Sequence, residues 1–278
     1  MMQKSTQPSA GTTSQHPYAL GILGVGHMGK AIVEGLIQNP EFPTDRLALC
    51  THQKASLAPY AEKGVAIFDT ANDLANQVDL LIVAVKPQAM DATLAELKGT
   101  SFRTLVSLAA GLSLGYYQAA LGKPTIRLMP NLPLAIQAGA TAMSHTDDVP
   151  EEDLQEIQRI FGKMGMIARI PDEQMHDIIV VNGSTPAYVF YFLKLLIDDA
   201  VRRGVEPQVA KDLLLQTFVG ATEYAKASPE SLDTLIQAVC SKGGTTIEAI
   251  SSFQNAQLEQ IFQAANEACV ARSKALGK

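Results

Sequence analysis

Two rhythms of apolar residues divide this chain. Up to Ile170, short apolar runs recur without helical spacing: YALGIL (18–23), LALCT (47–51), GVAIF (64–68), DLLIVAV (79–85), RTLVSLA (103–109), TIRLM (125–129), GATAMS (139–144) and GMIARI (165–170). Each reads as a buried strand. Stretches with helical spacing lie between several of them, HMGKAIVEGLIQN after the first being the clearest. Strands alternating with helices predict a mostly parallel sheet covered on both faces.

From about Pro171 the strand signals stop. DEQMHDIIVVNGSTPAYVFYFLKLLIDDAVRRG is apolar at helical spacing and broken around Gly183–Pro186. EPQVAKDLLLQTFVGATEYAKAS and SPESLDTLIQAVCS follow, the latter opening on Ser228–Pro229, a favoured helix start. The remainder is helical in two pieces. The predicted fold class is therefore α/β, an N-terminal Rossmann-like doubly wound sheet over 18–170 followed by an all-α domain over 171–278. Residues 1–17 are polar and rich in Ser, Thr, Gln and Pro, lack the apolar core of a secretory signal, and read as a disordered lead-in.

The helical half carries a heavy apolar load, with Phe190, Phe192, Leu193, Leu196 and Ile197 in one region and Leu213, Leu214, Leu215, Phe218 and Val219 in another. A domain of this size buries only part of that surface alone, which predicts homodimerisation; packing on its own first domain is the alternative. The run YVFYFLKLLI is interrupted by Lys194 and reads as too short to span a bilayer.

Composition narrows the function. The 278 residues are 47% hydrophobic and 18% charged, with a net charge of −6, which suits an ordered globular protein and disfavours a nucleic-acid partner. Cys50, Cys240 and Cys269 form no CxxC and read as reduced thiols of a cytoplasmic protein. The five histidines show no HxxxH spacing, so no metal site is expected.

Directly after the first strand comes GVGHMG, residues Gly24, Val25, Gly26, His27, Met28 and Gly29. The first glycine permits a tight turn, the second lets a pyrophosphate approach the backbone, and the third lets helix pack on strand. The motif predicts dinucleotide binding, a plain structural turn being the alternative. A cofactor without a 2′-phosphate usually meets Asp or Glu at the end of the second strand. Here no acid occurs from Leu49 to Ala61; Thr51, His52, Gln53 and Lys54 stand there instead. Hydroxyl, amide and ammonium groups suit a 2′-phosphate, so NADP is expected over NAD, with NADH still usable. Ala84, Val85, Lys86 and Pro87 close the fourth strand, and Met129, Pro130 and Asn131 follow a later one. Ligands of such sheets lie beyond the carboxyl ends of the strands, which puts both loops on the cofactor side unless they are simple proline turns.

Near the far end, VCSKGGTTIEAI reads as a glycine loop opening a helix with bare backbone donors, an anion site. Together with GVGHMG, AVKP, RLMPNLP and NGSTPAY, this string resembles the pyrroline-5-carboxylate reductase family, and the resemblance runs from about Tyr18 to the C-terminus.

The resemblance implies reduction of 1-pyrroline-5-carboxylate to L-proline by NAD(P)H, the last step of proline biosynthesis. It also implies dimers intertwined through the helical domain, some assembling into rings, with the glycine loop at or near the partner subunit. It further implies that Ser241 and the amides of Gly243, Gly244 and Thr245 hold the substrate carboxylate, while the Thr246 hydroxyl serves the imine nitrogen; a helix-start role is the bland alternative for Thr246. A cofactor-binding Asn is implied at Asn72, with Asn76 nearby. Lys242 and Asn182 depart from the family pattern. Rival readings are another NADP-dependent imine reductase, a β-hydroxyacid dehydrogenase-like enzyme, or a non-catalytic nucleotide sensor.

Overall fold

The computed structural model describes residues 16–277, so the expected lead-in falls almost wholly outside the described residues. The chain divides into two compact units. One runs from the first described residue to Gly183 and takes back the residues from Arg272 onward; the other is Ser184–Ala271.

All eight apolar runs become strands: β1 (Tyr18–Leu23), β2 (Leu47–Cys50), β3 (Ala66–Ile67), β4 (Val78–Val83), β5 (Thr104–Ser107), β6 (Thr125–Met129), β7 (Gly139–His145) and β8 (Gly165–Arg169). They form one sheet in the order β3-β2-β1-β4-β5-β6-β7-β8. The first six are mutually parallel. β7 runs against β6, and β8 parallel to β7. Chain length explains the reversal. Between Met129 and Gly139 there is room only for a tight turn at Leu132–Ile136, whereas a parallel crossover needs a dozen or more residues.

Period-two alternation sends neighbouring strand residues to opposite faces. Leu80 and Ile82 of β4 join a cluster with Ile32, Val33 and Leu36 of α1 (His27–Ile37) and with Leu154, Ile157, Ile160 and Phe161 of α6 (Glu151–Lys163). Leu81 and Val83 join the opposite cluster. There they meet Leu74 of α3 (Ala71–Ala75), Met90 and Leu94 of α4 (Met90–Glu96) and Tyr117 of α5 (Leu114–Leu121). α2 (Ala58–Ala61) adds Tyr60 to the first cluster. The centre of the sheet is thus buried on both sides, as its unbroken apolar strands require, whereas β8 at one edge stays largely exposed.

The second unit holds α7 (Thr185–Arg202), α8 (Pro207–Ala227), α9 (Leu232–Val239), α10 (Thr245–Asn255) and most of α11 (Leu258–Leu276). Glu206 caps α8 by accepting from the amides of Gln208 and Val209, and Ser231 caps α9 by accepting from Thr234. Within this unit Leu193 and Ala210 are buried, while Phe190, Leu213 and Val219 stay more than half exposed. The last turn of α11 returns to the first unit. There Ser273 is buried beside His176, their Oγ and Nδ1 3.1 Å apart. One expectation is corrected. The apolar stretch does not end at Lys194, whose ammonium pairs with Asp198 on the next helical turn. Ile178–Arg202, 25 residues holding an 18-residue window of mean hydropathy 1.3, is long and apolar enough to cross a bilayer by length and composition.

A buried carboxylate fastens α6 to the sheet. Asp153, 1% exposed, accepts from Arg103 Nε at 3.0 Å and Nη2 at 2.5 Å, and from Thr104 Oγ1 at 2.5 Å. Removing one partner of such a pair strands the other charge, at a cost of roughly 3–5 kcal/mol. Asp153→Ala is expected to lower stability by about 3 kcal/mol, the low end because Arg103 keeps Glu152 at 3.2 Å. Glu152→Ala, at a half-exposed site, costs under about 1 kcal/mol. Urea unfolding followed by circular dichroism reads both; equal losses would contradict this account.

Candidate active site

The loops leaving the carboxyl ends of β1, β2, β3 and β4 meet at one edge of the sheet. The strand order reverses there, β1 sitting between β2 and β4. Such a reversal leaves a crevice, because successive crossovers depart to opposite faces.

The glycines of the first turn have separate duties. Gly24 has φ +95°, a left-handed backbone, and a Cβ there would come within 3.0 Å of the Ala84 carbonyl oxygen. Gly29 lies so close to β1 that a Cβ would stand 2.1 Å from the Gly24 oxygen. Gly26 differs from both: its φ of −78° suits any residue, and nothing lies within 4 Å of a built Cβ. The space beside Gly26 is therefore open to solvent. Gly26 is also the residue before α1, a helix start without a side-chain cap and without acid in its first turn. Bare donors, a positive dipole end and open space fit a pyrophosphate. His27 is exposed beside Gly26, whereas Val25 is buried and Met28 packs against the core.

Next to this turn lies a cavity of about 570 Å³. Gly24, Thr51, His52, Lys54, Asn72 and Val85 line it, all named from the sequence. Asn72 rather than Asn76 faces this cavity; Asn76 is occupied elsewhere, its Oδ1 accepting from the Ser101 amide at 2.9 Å. Ala84, Lys86 and Pro87 follow β4 at the same edge without lining the cavity. Met129, the last residue of β6, and Pro130 and Asn131 after it are buried and do not line the cavity. The Asn131 side chain is used internally, accepting from the Ala140 amide at 2.9 Å and donating to the Asn182 carbonyl at 3.2 Å. Asn182 in turn donates to the carbonyls of Met129 and Ala140. This buried Asn pair holds the Met129–Asn131 loop in place.

Sequence reasoning missed Cys50, Asp69, Thr93 and Glu96 in the lining. Burial pushes the Cys50 thiol upward; Lys54 pulls it down, while Asp69, Glu96 and Asp73 raise it further. A protonated thiol here is lining, not a nucleophile. Asp69 had a readable signal, since it directly follows the third strand run. Thr93 and Glu96 come from a helix face with no motif to mark them.

In the second unit, the glycine loop ends where α10 begins. Gly243 has φ +71°, and Gly244 precedes the helix with no side chain capping it. Ser241 Oγ leans over Gly244, where a Cβ would meet it at 2.4 Å, and the Gly244 amide donates to the Ser241 carbonyl at 2.9 Å. Thr245 and Thr246 fall within the first turn, so neither occupies the cap position. The loop thus leaves the start of α10 without a side-chain cap, beside the hydroxyl residues Ser241, Thr245 and Thr246.

The glycine geometry separates a binding role from a folding role. Gly26→Ala is expected to leave the melting temperature unchanged yet weaken NADP⁺ binding at least about tenfold by filling the approach space. Gly29→Ala forces helix from strand and is expected to cost at least about 1–3 kcal/mol of stability. Calorimetric titration with thermal melts checks both. Unchanged NADP⁺ affinity in Gly26→Ala would remove the pyrophosphate from this turn.

Two family descriptions match the chain: "NADP oxidoreductase coenzyme F420-dependent" over residues 19–111 and "Pyrroline-5-carboxylate reductase dimerisation" over 172–276. The pyrroline-5-carboxylate reductase of Escherichia coli K12 is 31% identical over 264 residues, 93% of this chain and 98% of that one. That of Synechocystis is 33% identical over 263 residues, with the same coverage. Among solved structures, the Plasmodium falciparum pyrroline carboxylate reductase with NADP bound superposes with a TM-score of 0.87 at 27% identity, covering 94% of this chain and 98% of that chain. The Coxiella burnetii pyrroline-5-carboxylate reductase gives 0.84 at 30% identity, covering 95% and 100%. The chain belongs to the pyrroline-5-carboxylate reductase family.

Proposed function

We propose that this protein reduces 1-pyrroline-5-carboxylate to L-proline with NADPH. The observation that carries this reading is the open seat at Gly26, in a chain related to these reductases along nearly its whole length. The relatives do not favour the rival readings.

When bound, the nicotinamide supplies a hydride. The residues of the chain position the reactants and steady their charges. The α1 amides and Gly26 take the pyrophosphate. Thr51, His52 and Lys54 are supports for the 2′-phosphate, and Asn72 and Val85 for the adenosine part. Met129, Pro130 and Asn131, held in place by Asn182, end the sixth strand on the cofactor side and brace that edge of the sheet. On the substrate, the amides of Gly243 and Thr245 with the Ser241 hydroxyl hold the carboxylate; Gly244 keeps the approach free of a side chain while its own amide stays on the Ser241 carbonyl. Positioning of this kind accounts for most of the acceleration when the reacting centre needs no protein nucleophile. The Thr246 hydroxyl oxygen accepts from the N–H of the protonated imine, whose bonding changes as it becomes an amine. The imine carries its own proton near neutral pH, so no buried protein acid is required.

The same reading makes the working form a homodimer built through the helical region, open to ring-like assembly, in the cytoplasm. The exposed apolar faces of α7 and α8 support a protein partner, and three unpaired thiols support a reducing compartment.

Purified protein with pyrroline-5-carboxylate should consume NADPH, and faster than NADH; absence of turnover with either would refute the activity. Ser241→Ala removes one charge-assisted hydrogen bond from ground and transition state alike, raising KM roughly ten- to a hundredfold with kcat little changed. Thr246→Ala lowers kcat as well, and Thr246→Ser restores most of it. A fully active, folded Thr246→Ala protein would leave that hydroxyl with no catalytic part. Light scattering at micromolar concentration is expected to show a dimer or a multiple of one, and an active monomer would contradict the assembly.

A further inference from the structure

The acid missing from the end of β2 is present in space. β3 lies beside β2 in parallel register, Ala48 against Ala66 and Leu49 against Ile67, and the Phe68 amide donates to the Leu49 carbonyl at 2.8 Å. This pairing carries the residue two past Ile67, Asp69, to the level of Thr51, two past Leu49. Asp69 lines the same cavity as Thr51, His52 and Lys54, and its Oδ1 accepts from the Lys54 ammonium.

Folding does not account for this pair. The two side chains are 58% and 77% exposed, and ion pairs so exposed contribute little stability. Its meaning lies in what else would want Lys54. A 2′-phosphate would take the ammonium from the carboxylate, then sit beside an uncompensated negative charge. A ribose with a free 2′-hydroxyl has no such conflict, because a carboxylate accepts from a hydroxyl. The site therefore joins the cation that suits a 2′-phosphate to an acid that suits a bare ribose.

Resting on the cofactor reading above, we infer that Asp69 is a specificity-determining residue: it competes with the 2′-phosphate for Lys54, restrains the preference for NADP, and keeps NAD usable. Its charge sets the balance. With Asp69 in place the local pair is neutral; without it, Lys54 presents a full positive charge to the phosphate.

Isothermal titration of NADP⁺ and NAD⁺ into the unmodified protein, Asp69→Asn, Lys54→Met and the double variant tests this, with melting curves as a check on folding. Asp69→Asn is expected to tighten NADP⁺ about fivefold or more and to weaken NAD⁺ about threefold or more, in line with a gained charge-assisted contact and a lost hydrogen bond. In the Lys54→Met background the NADP⁺ gain from Asp69→Asn should fall below about twofold, because the group competed for is gone. An unchanged ratio of the two affinities in Asp69→Asn overturns the role of Asp69 alone. A full gain persisting without Lys54 overturns the competition. Failure of the unmodified protein to bind either nucleotide overturns the cofactor reading and this inference together.

Discussion

The architecture of the first unit depends on one close approach, that of the start of α1 to the end of β1. A methyl group at Gly29 would stand 2.1 Å from the Gly24 oxygen, so helix and strand meet backbone to backbone. Gly24 makes the turn possible with its φ of +95°. The Gly24 amide donates to the Cys50 carbonyl, and the Ala84 amide to the Leu23 carbonyl, so the turn is pinned to β2 on one side and β4 on the other. The uncapped donors of α1 are thereby fixed above the edge where the strand order reverses. Gly26 alone of the three faces open space.

The two units handle apolar surface differently. In the first, the central strands bury both faces under helices, and the buried carboxylate of Asp153 is tied down by Arg103 and Thr104. The second is organised by local forces, with Glu206 and Ser231 capping their helices, and leaves side chains such as Phe190 and Leu213 in the open. α7 packs on α8 and Phe192 stacks on Phe262, yet much of the apolar surface stays uncovered and calls for a further partner. The match to the family's dimerisation region over 172–276 supports oligomerisation through this surface, and Ile178–Arg202 also has the length and apolarity to cross a bilayer.

Much of this was legible along the chain because it is local. Strand runs bounded by turns carry their own signature, and all eight were readable, β3 included although it shrinks to Ala66–Ile67. The duties of Gly24 and Gly29 follow from spacing. What could not be read depends on neighbours distant in sequence. The stretch Leu49–Ala61 lacks an acid, yet Asp69 reaches the same cavity because β3 pairs with β2. Asn131 looked available to a cofactor, but its amide is spent on Ala140 and Asn182, a contact across 51 residues that no local pattern encodes. The reversal of β7 was implicit in the short Met129–Gly139 connection, and is seen only when loop length is set against the span of a crossover.

The central claim is that a reduced dinucleotide held by this chain delivers hydride to a cyclic imine. Isotope transfer tests it most directly. With NADPH deuterated at the reactive face of C4, and pyrroline-5-carboxylate as acceptor, the proline formed should carry one deuterium on its δ carbon, read by mass spectrometry and NMR. Proline formed without deuterium from either face of C4, or deuterium lost to solvent, would contradict direct transfer and with it the assignment of the Gly26 edge as the cofactor seat of a reductase.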